Sequence, residues 1–303
     1  MPVIGVVINT WNRWAALRVT LERWQQVRVP CDVSLHLVIV DDGSDAPSHE
    51  WAACAVKPWV SCELIRTAHT GSASARNIGV EYLRRRTRPD IVLFCGDDVL
   101  PDEALLVEVL RGFALGAEVV SARIEWWPGC RPTSYMQWLT NGGPQFRFAN
   151  KSGWSTPADI YTATVACTVA TLDRVGGFDE RLGGVLEDTE WSYRLLAREV
   201  RAWFAFEAVG YHNHGKTPAD MRRRMHDYGA CMGRLPPSVR AEVRPRRAAW
   251  YLAWACTPFR GLVSGLVDKL ERGNKRWDAL FALDLTIRMV MGATSAQKAP
   301  FPS

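Results

Sequence analysis

The chain has 303 residues, 48% of them hydrophobic and 23% charged. That balance excludes a disordered chain and allows one substantial α/β core with an additional C-terminal piece. A formal net charge of +5 and a pI near 8.8 suit an anionic ligand such as a nucleotide, a phospholipid surface or a nucleic acid, without choosing among them.

In chain order, Val3 to Ile8 reads as a strand, with no basic-then-apolar leader before it. A helix with Leu17, Leu21 and Trp24 on one face follows, then a strand at Leu35 to Val40 and a helical segment near Ser48 to Val56. Val60 to Ile65 leads to a helix from about Ala73 to Arg85, and Ile91 to Phe94 to a helix striped by Leu105, Leu106, Val109, Leu110 and Phe113. Val119 to Ile124 reads as a fifth strand. Strand–helix alternation of this kind predicts crossover units on a mainly parallel sheet.

After residue 126 the alternation breaks into a loop-rich stretch with Gly142, Gly143 and several tryptophans before a strand at Thr162 to Ala170. A turn at Gly176 and Gly177, a helix starting near Asp188 and a strand at Ala202 to Phe206 complete the core. The expected division is a domain over 1–220, with halves 1–126 and 127–220, and a helical extension over 221–303. The apolar stretch Ala248 to Val267 is broken by Pro258 and Arg260, so no membrane span is expected there. Eight cysteines, at 31, 54, 62, 95, 130, 167, 231 and 256, form no C-x-x-C pair; the expectation is a reduced, cytoplasmic protein without a zinc site.

Open parallel sheets bind ligands beyond the carboxyl ends of their strands. Three polar clusters fall there: Asn9-Thr10-Trp11-Asn12, Asp41-Asp42-Gly43-Ser44-Asp45 and Gly96-Asp97-Asp98. Thr70 to Gly79 adds Arg76 at the start of a helix, where backbone donors suit a diphosphate. Adjacent carboxylates in GDD offer hard oxygens to a divalent cation, and the acids of Glu187-Asp188-Thr189-Glu190 open a helix. His212 and His214, two apart after a strand, lie on one side of an extended chain.

With VVINTWNR, VDDGSD, GSASARNIGV, FCGDDVLPD, GGFDERL, EDTEWSYR and YHNHGKT in this order between residues 3 and 217, the chain resembles glycosyltransferase family 2. The resemblance implies the GT-A fold, a nucleotide-diphosphate-sugar donor, a UDP-sugar foremost, and inverting transfer to a carbohydrate, lipid-linked or small-molecule acceptor. It implies that Asn9, Thr10, Asp42 and Arg76 line the donor pocket with Asp97 and Asp98. Asp98 would touch a divalent cation, Mn2+ or Mg2+, with His212 or His214 completing its shell. Asp188 would be the base, Glu187 would orient acceptor or donor, and Glu190 would be secondary. Gly96 departs from the family's Asp-x-Asp pattern at its first position.

Trp126, Trp127, Trp154 and Trp191 offer indoles on which sugars stack, although core packing is the commoner use. Gly183 and Gly184 would let an acceptor approach. Arg222, Arg223, Arg224, Arg234, Arg240, Arg244, Arg246 and Arg247 precede the helical, apolar Trp250 to Leu266. That order leaves open a peripheral membrane contact at the inner face, a homodimer through the C-terminal helices, or a solvated face. No nucleic-acid partner is expected, because the arginines carry no reading motif. A sugar nucleotidyltransferase would want a glycine-rich first loop that NTWNR does not offer, and a catalytically inactive sugar- or nucleotide-binding protein stays open on the strength of Gly96.

Overall fold

The computed structural model describes residues 1–45, 58–140, 149–156, 160–182, 184–243 and 247–296. The helical segment expected near Ser48 to Val56 lies outside these residues, as do Gly142, Gly143, Gly183, Arg244 and Arg246. Two compact units are present: Met1–Gly129 with Phe148–His214, and Cys130–Arg147 with Gly215–Ser303.

Elements in chain order are β1 (Val3–Thr10), α1 (Trp14–Trp24), β2 (Ser34–Asp41), β3 (Ser61–Arg66), α2 (Ser72–Arg86), β4 (Ile91–Gly96), β5 (Val99–Pro101), α3 (Leu105–Ala114) and β6 (Val119–Trp126). After α4 (Ser134–Thr140), which belongs to the second unit, come β7 (Gly153–Ser155), β8 (Thr164–Thr168), α5 (Val169–Val175), α6 (Glu187–Ala197) and β9 (Ala202–His212). The sheet runs β3-β2-β1-β4-β8-β6-β9-β5, with β7 also on β9. β3, β2, β1 and β4 are parallel, as are β6 and β9; β8 and β5 are antiparallel to their neighbours.

β4 is buried from Ile91 to Cys95 and β1 from Ile4 to Ile8, as expected of strands covered on both faces. The face of α1 that packs inward is the anticipated one, Leu17, Leu21 and Trp24. Two boundaries differ from expectation. Thr168 Oγ1 accepts from Thr171 N at 3.2 Å, an N-cap that turns Val169 and Ala170 into helix instead of strand. β9 runs to His212, well past Phe206, and its extra residues pair with the unanticipated strand β5. As the last strand of the sheet, β5 accommodates Pro101 without losing a central ladder bond.

The second unit contains α4, α7 (Pro218–Cys231), α8 (Pro237–Val243), α9 (Arg247–Cys256), α10 (Arg260–Arg272) and α11 (Asp278–Ala296). Thr217 and Asp220 form a capping box that starts α7. α7 and α11 cross closely: a Cβ on Gly292 would stand 1.8 Å from the His226 carbonyl oxygen, and one on Gly229 1.9 Å from that of Met289. By length and composition α11 can cross a membrane. Here it packs on α7, α9 and α10, and its buried Asp284 accepts from Arg222 Nε at 2.6 Å and Ser264 Oγ at 2.8 Å. Cys95 and Cys167 are buried.

Candidate active site

Parallel registry sets the site. Thr10 lies opposite Asp41, and Asn9 opposite Val40 and Gly96, so the polar residues after β1, β2 and β4 emerge at one edge of the sheet. Thr10 Oγ1 donates to Asp97 Oδ2 at 2.8 Å, and Thr20 Oγ1 to the Asp97 carbonyl at 2.9 Å. Arg13 spans both aspartates, with Nη1 3.1 Å from Asp97 Oδ1 and Nη2 2.5 Å from Asp98 Oδ2.

Pairing of β5 with β9 puts Val99 opposite His212, and Asn213 N donates to the Asp98 carbonyl at 2.8 Å. The backbone thus carries both imidazoles to Asp98: His214 Nδ1 is 2.7 Å and His212 Nε2 3.5 Å from Asp98 Oδ2. One ligand atom from each of Asp98, His212 and His214 lies within 4.8 Å of the others. Burial opposes the Asp98 charge, but His212, the hydrogen bond from His214 and the Arg13 guanidinium outweigh it and hold that carboxyl well below the usual range. Asp97 goes the other way, pushed up to about 7 by burial and by the neighbouring Asp98 charge. Two imidazole nitrogens and a carboxylate oxygen form a donor set that fits a divalent cation, manganese better than magnesium. Such a cation would compete with Arg13 for Asp98 Oδ2.

Gly96 has a steric account. A Cβ there would meet Val99 Cγ2 at 2.9 Å and Asp98 Oδ1 at 3.0 Å, so an aspartate in the family's first position would displace the carboxylate that the histidines share.

Asp42 is buried, and its oxygens accept from backbone amides: Oδ1 from Thr70 N at 2.8 Å and Oδ2 from Gly71 N at 2.9 Å. His69 Nδ1 is 2.9 Å from Oδ2, and the His69 ring stacks on half-exposed Trp11, centroids 4.2 Å apart. Asp42 therefore fixes the turn into α2, and Trp11 with His69 presents the flat aromatic surface beside it.

At the α6 end, Glu187 Oε1 accepts from Arg76 Nη1 at 2.8 Å and from Ser72 Oγ at 3.0 Å. Oε2 of Glu187 is buried with no hydrogen-bond partner among the described residues. Leu186, just before the helix, has φ of 73°, a left-handed conformation that costs a non-glycine residue of order 1–3 kcal/mol. Asp188 is half-buried and accepts from Thr189 N at 2.7 Å. Arg76 joins the two carboxylate pairs: it donates to Glu187, and its charge acts on Asp97. Glu190 is held by Arg194 through both oxygens, at 2.7 and 2.8 Å. A separate cavity of about 570 Å³, lined in part by Arg84, Phe178 and Arg194, includes neither Asp98 nor Asp188.

Of the four tryptophans considered for sugar stacking, Trp191 is corrected: it is fully buried and donates from Nε1 to the Gly176 carbonyl. Trp126 is buried against the His212 ring, whereas Trp154 is exposed. Arg13, His69 and Ser72 were missed as site residues. Arg13 had a readable signal, a basic residue closing NTWNR directly after a strand that faces acids; the other two did not.

A mixed sheet with acids, imidazoles and an arginine-bearing helix start gathered at its strand ends defines a nucleotide-sugar transferase with the GT-A fold. Residues 5–168 match the model of Glycosyl transferase family 2, and the chain belongs to that family; it is a glycosyltransferase. Among solved structures it is similar to the mannosyltransferase PcManGT of Pyrobaculum calidifontis in complex with GDP-Man and Mn2+, with a TM-score of 0.62 and 19% identity over 97% of this chain and 87% of that one. It is also similar to S. aureus TarS 1–349, with a TM-score of 0.56 and 16% identity over 100% and 93%. The same TarS segment in complex with UDP gives a TM-score of 0.55 and 17% identity over the same shares. At these identities the likeness is one of fold. Comparison with proteins of curated function gives no sequence match.

Proposed function

We propose that the chain transfers a sugar from a nucleoside diphosphate, a UDP-sugar foremost, to an acceptor hydroxyl with inversion at C1. The observation that carries this reading is the convergence of His212 and His214 on Asp98 Oδ2 at the end of β4. Those three residues would hold a divalent cation, which when bound supplies positive charge against the diphosphate. Asp188, at the start of α6, takes the proton of the acceptor hydroxyl as that oxygen attacks C1 and the C1–O bond to the diphosphate breaks, its electron pair staying with the diphosphate. Glu187 and Arg76 hold one another at 2.8 Å, in a place where the guanidinium charge acts on Asp97 and would act on donor phosphates. Trp11 and His69 offer a stacking surface to the base. Support comes also from the neighbours solved with GDP-Man and Mn2+ and with UDP.

A thermal-shift panel tests this: UDP, GDP and dTDP and their sugars, each with and without Mn2+. One nucleoside diphosphate at about a hundred times its Kd should raise Tm by about 5 °C or more, and only with the metal. A panel flat for every nucleotide removes the donor site.

A further inference from the structure

The acidic cleft chemistry occupies the first unit; the second carries a different signature. Residues 215–303 hold sixteen Lys and Arg against seven Asp and Glu, a net of +9 in a chain whose total is +5, so residues 1–214 sum to −4. Of thirteen exposed large hydrophobic residues among those described, seven fall between 251 and 277. On α9, Tyr251, Leu252 and Trp254 are more than half exposed; Phe259 and, on α10, Leu262 and Leu266 are 44–67% exposed. Scattered exposed leucines are ordinary on a soluble protein, but a run of aromatic and aliphatic side chains on two successive helices is not.

Helix geometry sharpens the pattern. At 100° per residue, Leu262, Leu266 and Lys269 fall within about 60° of one another on α10, while Val263, Ser264 and Val267 turn to the bundle. Exposed Arg260, Lys269, Arg272 and Lys275 lie along and just beyond the same helix. Apolar side chains edged by lysine and arginine match the layered chemistry of an anionic bilayer surface, acyl region below and phosphate above. A second copy of this chain fits less well, because apposing the two faces would bring two basic rims together without counter-charge.

We propose that the α9–α10 face is a peripheral membrane-docking surface that recognises anionic phospholipid. It does not depend on the donor chemistry proposed above. The full chain is sedimented with phosphatidylcholine vesicles, with and without phosphatidylglycerol, at low and high salt. The proposal expects at least about tenfold stronger partitioning onto the anionic vesicles, weakened by salt. Leu262→Glu with Leu266→Glu should abolish it, and Lys269→Glu with Arg272→Glu should lower it about tenfold or more. All four side chains are exposed, so circular dichroism and Tm should be unchanged; if the leucine pair fails to fold, the charge pair alone carries the test. Equal recovery on both vesicles, or none on either, overturns the proposal. So does light scattering that finds a dimer dispersed by the leucine pair in a chain that ignores lipid.

Discussion

Asp97–Asp98 at the end of β4 and Glu187–Asp188 at the start of α6 are both adjacent acids at strand or helix ends, yet the fold treats them differently. The first pair is buried in both residues and closely partnered: Arg13 reaches both carboxylates, and the His212 and His214 rings face Asp98. In the second pair Glu187 is buried and paired with Arg76, while Asp188 is half-exposed at a helix N-terminus whose preceding residue is held left-handed. A buried carboxylate oxygen that two imidazoles face is suited to sharing a divalent cation with them; a carboxylate left partly open is suited to exchanging a proton with a substrate. On the proposed reading, burial and partners, more than residue type, divide the labour.

The widest separation between the pairs should appear on removing Asp188. Asp188→Asn keeps the volume and the bond from Thr189 N, so the expected result is a loss of about a hundred- to ten-thousand-fold in kcat, with Mn2+ affinity intact. Asp98→Asn should instead lose Mn2+ binding measured by titration calorimetry. Were the two variants to lose metal and activity in parallel, the division between gripping and proton-accepting carboxylates would collapse.

Next in size is the link between the pairs. Arg76 and Glu187 are 11% and 6% exposed at the side chain. Arg76→Met leaves a buried carboxylate whose Oε2 already has no hydrogen-bond partner among the described residues, and a cost of about 3–5 kcal/mol in unfolding free energy is expected in urea titrations. Glu187→Gln should cost much less, because an amide oxygen still accepts from Arg76. Equal losses would mean that the negative charge of Glu187, and not merely an oxygen acceptor, is what holds the Arg76 guanidinium.

How much of this was legible beforehand follows from what sets each feature. β-branched runs and helix-spaced leucines are local signals, so β1, β2, α2 and β4 are readable within two residues of their ends, and α1 and α3 by their apolar faces. β5 was not: three residues containing a proline carry no strand signal, and only pairing with β9 makes them one. That long-range pairing is also what brings His212 and His214 to Asp98. From spacing alone the two histidines shared a side; which carboxylate they would face depended on registry across more than a hundred residues. Gly96 likewise looked like a missing ligand until its packing against Val99 and Asp98 was visible.

The smallest effect concerns Arg13, and it probes the first carboxylate pair from within. Its guanidinium stands 2.5 Å from the Asp98 oxygen that both imidazoles face, so it and a divalent cation compete for that oxygen. The Arg13 side chain is 40% exposed but both carboxylates are buried, so Arg13→Met should lower stability in the absence of metal while tightening Mn2+ about two- to fivefold, the gain expected from removing a partly screened competitor of about 1 kcal/mol. In the presence of a nucleoside diphosphate the sign should reverse, because a displaced guanidinium beside the cleft can pair with phosphate oxygens. Calorimetric Mn2+ titrations of both forms, with and without UDP, read the two signs directly. Weaker Mn2+ binding in Arg13→Met without nucleotide would mean that the arginine shapes the cluster and does not contend for it.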